Sequence, residues 1–162
     1  MDYIIHSIKP VYNHNSKVLI LGTLPSPKSR DIGFFYSHPQ NRFWNVLAQI
    51  FDEPLGDTIN ARIAFLLEHN IAMWDVISEC YIEGAADASI KKVVVNDFAH
   101  IFLVADIKAV FLTGKTAYNL YVKYCEKYHK VPYFLLPSTS SANCAADVNK
   151  LVAEYKRILE FI

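Results

Sequence analysis

The chain offers little for covalent or metal chemistry. Its three cysteines, Cys80, Cys125 and Cys144, form no CxxC unit and are too few for a four-thiolate zinc or iron–sulfur site. They read as buried, reduced thiols. Net charge is also lacking. Sixteen basic and sixteen acidic side chains cancel, so the field of the whole molecule does not draw in a polyanion, and a nucleic-acid partner has to be held by local donors. No apolar run approaches the roughly 20 residues that span a bilayer, and MDYIIHSIKP has neither a basic flank nor a small-residue cleavage site. A soluble, intracellular protein with no membrane partner is expected. Glycine is sparse, with five in the chain. Gly114-Lys115-Thr116 imitates the end of a phosphate-binding loop, but the glycine required five residues earlier is Ala109, inside an apolar strand. No flexible loop remains there to cradle phosphates, which argues against a nucleotide triphosphatase.

What the chain has in quantity is apolar surface, 52% of its 162 residues, enough for one domain over residues 1–162 to bury a core without staples. The apolar positions alternate between strand and helix spacing. After an extended N-terminal piece, Val18 to Leu21 predicts the first core strand, and Arg42 to Phe51 has the spacing of a helix. A second helix, capped by Thr58 or Asn60, runs to Glu68, and Ile71 to Ile77 reads as the next strand, followed by a loop at Gly84-Ala85-Ala86-Asp87. Asn96 is placed to cap a short helix to Leu103. Ala109 to Leu112 is a third strand, Thr116 to Tyr128 a helix and Tyr133 to Leu136 a fourth strand, and a last helix starts between Ala142 and Ala146. Strands separated by helices imply right-handed crossovers and a parallel sheet covered on both faces. The fold class is therefore α/β, a three-layer α/β/α sandwich on a central parallel four-stranded sheet. Ligands bind beyond the carboxyl ends of such strands, so Gly22 to Ser26, Asp75, Gly114 to Thr116 and Pro137 to Asn143 are expected at one rim.

Two of these loops are unlike connectors. Gly22 to Trp44, GTLPSPKSRDIGFFYSHPQNRFW, sets Phe34, Phe35, Tyr36, His38, Gln40, Asn41, Arg42, Phe43 and Trp44 nearly side by side behind three prolines. That mixture supplies flat stacking surfaces together with hydrogen-bonding side chains, in a loop too aromatic for disorder. Lys28, Arg30 and Arg42 make it locally basic, and Lys91 with Lys92 form a second small pair. The other loop, Leu136-Pro137-Ser138-Thr139-Ser140-Ser141-Ala142-Asn143, has small hydroxyl residues and free backbone N–H groups that suit either a phosphate grip or a helix cap. Beside the first loop, the grip is the better reading.

These stretches, with WDVISEC, the later GAAD and VFLTGKTAYNLY, resemble the uracil-DNA glycosylase superfamily, and more narrowly its hypoxanthine (deoxyinosine) DNA glycosylase branch. The likeness runs from about Val18 to the final helix, and HPQNRFW combined with PSTS is its most specific part. It implies a three-layer fold and a monofunctional glycosylase that flips a deaminated base out of DNA and hydrolyses its N-glycosidic bond, leaving an abasic site. It marks Asn41 as the catalytic position, the other reading being a structural amide that braces the HPQN turn. Gly22, Thr23, Pro25, Ser26, Phe34, Phe35 and Tyr36 are expected about the base and Ser138, Thr139, Ser140 and Asn143 on the DNA strand, while His38 and Arg42 hold the loop or a phosphate. A monomer with no cofactor or metal is expected.

The chain departs from the uracil-removing relatives at several places. Leu24 stands where they orient water with Asp or Asn, Ser26 where the tight uracil-specific branch has a guarding Tyr, Leu136 where it has a His, and Ser140 at its leucine wedge. Ser141 replaces a proline usual in the hypoxanthine branch. Asp75 falls where relatives read the base edge with Asn. A carboxylate only accepts hydrogen bonds, so Asp75 favours the N1–H of hypoxanthine over the bare N1 acceptor of adenine; a simple capping aspartate is the other reading. No lysine is placed as a Schiff-base nucleophile, so direct hydrolysis is expected. A mismatch-specific uracil or thymine glycosylase and a non-cutting binder of altered bases stay open as alternatives.

Overall fold

Val18–Gly22 has no charged position, and all five residues are buried, which is stable only in a strand paired on both edges and covered on both faces. In the computed structural model, which describes residues 1–126 and 129–162, the elements in chain order are β1 (Asp2–Ile5), β2 (Val18–Gly22), α1 (Pro27–Ile32), α2 (Phe43–Phe51), α3 (Ile59–Glu68), β3 (Ile71–Asp75), β4 (Ile77–Glu83), β5 (Ala86–Val95), α4 (Ala99–Val104), β6 (Ala109–Thr113), α5 (Lys115–Tyr124), β7 (Tyr133–Leu136) and α6 (Val148–Tyr155), with a closing 3₁₀ turn at Lys156–Glu160. The main sheet has the order β3-β2-β6-β7 and is parallel throughout.

Because successive residues of a strand face opposite ways, the sheet divides its side chains between two cores. Val18, Ile20, Ala109 and Phe111 pack with Phe43, Leu47, Leu151 and Tyr155 of α2 and α6. Leu19, Leu21, Val110 and Leu112 pack with Ile101 of α4 and Ala117 and Tyr121 of α5 on the other face. This is the expected three-layer α/β sandwich.

Several boundaries differ from the sequence reading. Ser26 and Pro27 start a short helix inside what reads as loop: the Ser26 side chain accepts from Ser29 N–H, and Pro27 stands at the first turn, where its missing N–H costs nothing. The apolar run Ile71 to Ile77 is two strands. At its middle Val76 N–H donates to Gly22 O and Ile77 N–H to Thr23 O, and the Asn96 amide donates to Asp75 O and Ile77 O, so Asn96 braces this corner and does not cap α4. Beyond the corner β4 and β5 form a hairpin, and with β1 they make a second, antiparallel sheet of order β1-β4-β5. Shifts of register along the hairpin blur the alternation that would announce it. Its turn is Gly84-Ala85, with Gly84 at φ 59°, a conformation suited to glycine.

The last helix starts later than expected, at Val148, because Asp147 caps it through Lys150 N–H. The helix after β6 ends at Tyr124, and the part of that expectation at residues 127 and 128 lies outside the described residues. Cys80 and Cys125 are buried, and burial pushes the Cys125 thiol up to about 11; Cys144, against expectation, is exposed. Among the described residues no helix is long and apolar enough to cross a membrane.

Candidate active site

The parallel strands bring Gly22, Asp75, Thr113 and Leu136 to one edge, where Gly22 pairs with Asp75 and Thr113 with Leu136. Above that edge lies a cavity of about 590 Å³, a size suited to a small ligand. Its floor is too tight for a side chain at position 22: a Cβ there would stand 2.6 Å from Asp75 Oδ1, 3.0 Å from Tyr36 Oη and 3.4 Å from Thr113 Oγ1. The Tyr36 hydroxyl and Thr113 Oγ1 are hydrogen-bonded at 2.8 Å. Burial, reinforced by the nearby Asp75 carboxylate, pushes the Tyr36 phenol far above its ordinary range, so it remains a neutral hydroxyl.

Asn41 is held by its oxygen. Oδ1 accepts from Phe43 N–H at 2.9 Å and from Thr139 Oγ1 at 2.8 Å, while no acceptor among the described residues reaches the amide NH₂. Asn41 borders the cavity, so a pre-oriented pair of N–H donors is left beside it. The HPQN turn is closed by Asn41 N–H donating to His38 O and Gln40 N–H to His38 Nδ1.

Asp75 is a second polar group bordering the same cavity. It is 4% exposed, and its Oδ2 lies 2.8 Å from His6 Nε2. A buried carboxylate without a partner is costly, and His6 is the partner here. Nothing in the spacing of MDYIIHSIKP singles out His6. Thr113 is the other residue that sequence reasoning passed over, although its place at the end of β6 was a usable signal.

The structure sorts the expected site residues. Gly22, Thr23, Pro25, Ser26, Phe35, Tyr36 and Asp75 border the cavity, with His38, Ser138, Thr139, Ser140 and Asn143. Phe34 does not: it is buried, with its ring stacked on Trp44 at 5.8 Å in the core. Tyr36 has one face on Phe43 at 4.0 Å. Of holding the loop or a phosphate, Arg42 does the first. Its guanidinium donates to the carbonyls of Thr139, Ser140, Asn143 and Ala146, so its donors hold the 138–143 loop in shape and are not free for a DNA strand. Thr139 is 1% exposed with its hydroxyl given to Asn41, and the Asn143 amide donates to Ser138 O. Of the hydroxyl loop, Ser138 and Ser140 accept backbone N–H bonds through Oγ and keep their own hydrogens available. Arg30 likewise braces Pro25 O. Leu24, at the water-orienting position of the relatives, packs against the small core of Ile77, Cys80 and Ile82 that joins this loop to the hairpin. The hairpin tip, Gly84, Ala85 and Asp87, borders the cavity in turn.

An α/β sheet with its cavity beyond the strand ends matches a known class of enzymes, the DNA glycosylases. The chain belongs to the Uracil DNA glycosylase superfamily, which it matches over residues 9–160. It is 32% identical over 137 residues to a hypoxanthine DNA glycosylase of Methanosarcina acetivorans, covering 82% of this chain and 84% of that one. To a hypoxanthine DNA glycosylase of Methanosarcina barkeri it is 37% identical over 109 residues, 65% of this chain and 68% of the other. Its fold is similar to the solution structure of a candidate uracil DNA glycosylase from Methanosarcina acetivorans, with a TM-score of 0.79 at 25% identity over 95% and 98% of the two chains.

Proposed function

We propose that the protein removes hypoxanthine from deoxyinosine in DNA, with Asn41 as the catalytic amide and Asp75 as the reader of the base edge. The observation that carries this is two groups on one cavity: an amide whose oxygen is fixed so that its N–H groups are free, and a buried carboxylate held by a histidine. The hypoxanthine DNA glycosylases to which the chain is similar point to the same base.

The target nucleotide is extruded from the helix into the cavity, at a cost of a few kcal/mol that a mispaired deaminated base lowers. Ser138 and Ser140 hold the flanking phosphates through hydroxyl and backbone donors, which position the strand and take no part in bond cleavage. Phe35 and the free side of Tyr36 bound the base. As the N-glycosidic bond opens, negative charge grows on the base and positive charge on the sugar, so a fixed N–H donor at Asn41 stabilises the transition state more than the ground state. Alternatively to contacting the base, the same amide orients the attacking water; both roles need the geometry described. Asp75 accepts N1–H of hypoxanthine and repels the N1 lone pair of adenine.

The direct test is incubation with oligonucleotides bearing deoxyinosine, deoxyuridine, deoxyxanthosine or a G·T mismatch, followed by cleavage of abasic sites. Abasic sites from the deoxyinosine strand ahead of the others are the expected result. Preferred release from deoxyuridine or the G·T mismatch would transfer the protein to the mismatch-specific class, and tight binding without any abasic product would make it a binder.

A further inference from the structure

We propose that His6, directly after the N-terminal strand of the second sheet, is a positioning residue for Asp75 and so for base selection; this rests on the reading of Asp75 given above. A carboxylate only accepts, so the 2.8 Å contact is written with His6 Nε2–H donating to Asp75 Oδ2. The two side chains are 1% and 5% exposed, which makes the pair a dry one. The imidazole stands between the rings of Phe35 and Trp74, each with its centroid 6.2 Å away, and His6 N–H is anchored on Ser78 O at 2.7 Å. His6 Nδ1 is buried with no hydrogen-bond partner among the described residues. Nε2 carries the hydrogen given to Asp75, so of the two imidazole tautomers the one that fits this contact has its proton on Nε2.

The consequence lies at the other oxygen. With Oδ2 held by His6, Asp75 has one rotational setting, and its Oδ1 lies against Gly22 on the cavity floor. No donor among the described residues reaches Oδ1, so a single carboxylate acceptor is presented to whatever enters. Without His6 the carboxylate turns freely or takes up water, and the acceptor is no longer fixed against the base edge. This also gives the second sheet a part in the chemistry: β1 pairs with β4 and thereby brings a histidine under a pocket built by the other sheet.

The experiment compares His6→Phe, which keeps the ring between Phe35 and Trp74 and removes the donor, with His6→Gln, whose side-chain amide can place an N–H where Nε2 stood. Single-turnover rates on deoxyinosine DNA are measured with DNA dissociation constants, and thermal melting confirms folding. The expected result is a rate about ten-fold lower or more for His6→Phe, affinity within about two-fold of the parent, and recovery to within about three-fold in His6→Gln, the split expected for an interaction made at the reacting base. A folded His6→Phe variant with the parent's rate overturns the proposal, as does a His6→Gln variant that is folded and no better than His6→Phe. Histidine ¹⁵N NMR on the unmodified protein supplies a readout that needs neither variant nor substrate. A fixed Nε2–H tautomer at His6, altered by Asp75→Asn, supports the pairing, whereas exchange between tautomers overturns it. If the parent releases no hypoxanthine, the functional reading fails on its own evidence, and the NMR result still decides whether His6 holds Asp75.

Discussion

Asn41 is a brace by its geometry and, in the proposed reading, the reagent as well. Its oxygen joins α2 to the hydroxyl loop, through Phe43 N–H and the Thr139 hydroxyl, and that same bonding aims its nitrogen elsewhere. Asn41→Ala is therefore expected to lower the single-turnover rate of base release by about 100-fold or more, as loss of a fixed transition-state donor does, with DNA affinity little changed. A variant as fast as the parent would leave Asn41 a structural amide only. Thr139→Val keeps the buried shape and removes the donor to Oδ1, so a smaller loss, of about ten-fold, is expected in the same assay. Ser138→Ala acts on a different quantity: the dissociation constant rises while the rate at saturation holds, because a phosphate contact positions the strand without entering bond cleavage. If Ser138→Ala changes the saturated rate and leaves binding alone, the grip is assigned to the wrong residue.

At the scale of elements, the main sheet was legible because its strands are short apolar runs separated by helical spacing, and the rim followed from the rule that ligands sit at carboxyl ends. Val18 to Leu21 and Tyr133 to Leu136 stand as read. The second sheet was not legible. The largely apolar stretch Ile71 to Ile77, broken by Asp75 alone, hides a corner made by long-range bonds from Gly22, Thr23 and Asn96, and the shifted register of β4 against β5 breaks the period-two pattern. The site was legible to the same degree. Residues beside strand ends or in HPQN could be named in advance, whereas His6 reaches Asp75, 69 positions away in the chain, only because β1 pairs with β4. Phe34 is turned into the core for a related reason, and of the two tasks open to Arg42 it takes the bracing of the loop: a loop's own sequence does not say which of its side chains turn inward to hold it. Where β2 meets β3, Gly22→Ala tests the fit of the floor. The added methyl would stand 2.6 Å from Asp75 Oδ1, so Asp75 must move. A folded protein with base release slowed about ten-fold or more is expected, since small misplacements at a reacting centre carry costs of that order or greater. An unchanged rate would show that the Asp75 carboxylate is not needed where it stands.

For the molecule as a whole, the buried phenols set an alkaline limit. Tyr36, Tyr121 and Tyr155 are each pushed above the ordinary tyrosine range, in every case first by burial. In the unfolded chain they ionise near the usual value of about 10; in the fold they stay protonated. Above that pH the folded state therefore binds more protons than the unfolded one, so stability falls as pH rises, and it is fully present below. The Tm is expected to decline steadily between pH 9.5 and about 11.5. Tyr121 separates this effect from the active site, because it lies on the opposite face of the sheet, in the core with Leu19, Leu21 and Ala117. It is 0% exposed, and its hydroxyl has no hydrogen-bond partner among the described residues. Tyr121→Phe thus removes a desolvated group and breaks no bond, and an unsatisfied buried hydroxyl costs about 1–3 kcal/mol. The variant should be at least as stable as the parent at pH 7, with a shallower decline of Tm at high pH and unchanged base release. Chemical denaturation at pH 7 together with melting curves across the alkaline range checks all three. A Tyr121→Phe protein that is less stable than the parent at pH 7 would mean that the hydroxyl has a partner, such as a buried water, and that the alkaline loss must be sought in Tyr36 and Tyr155.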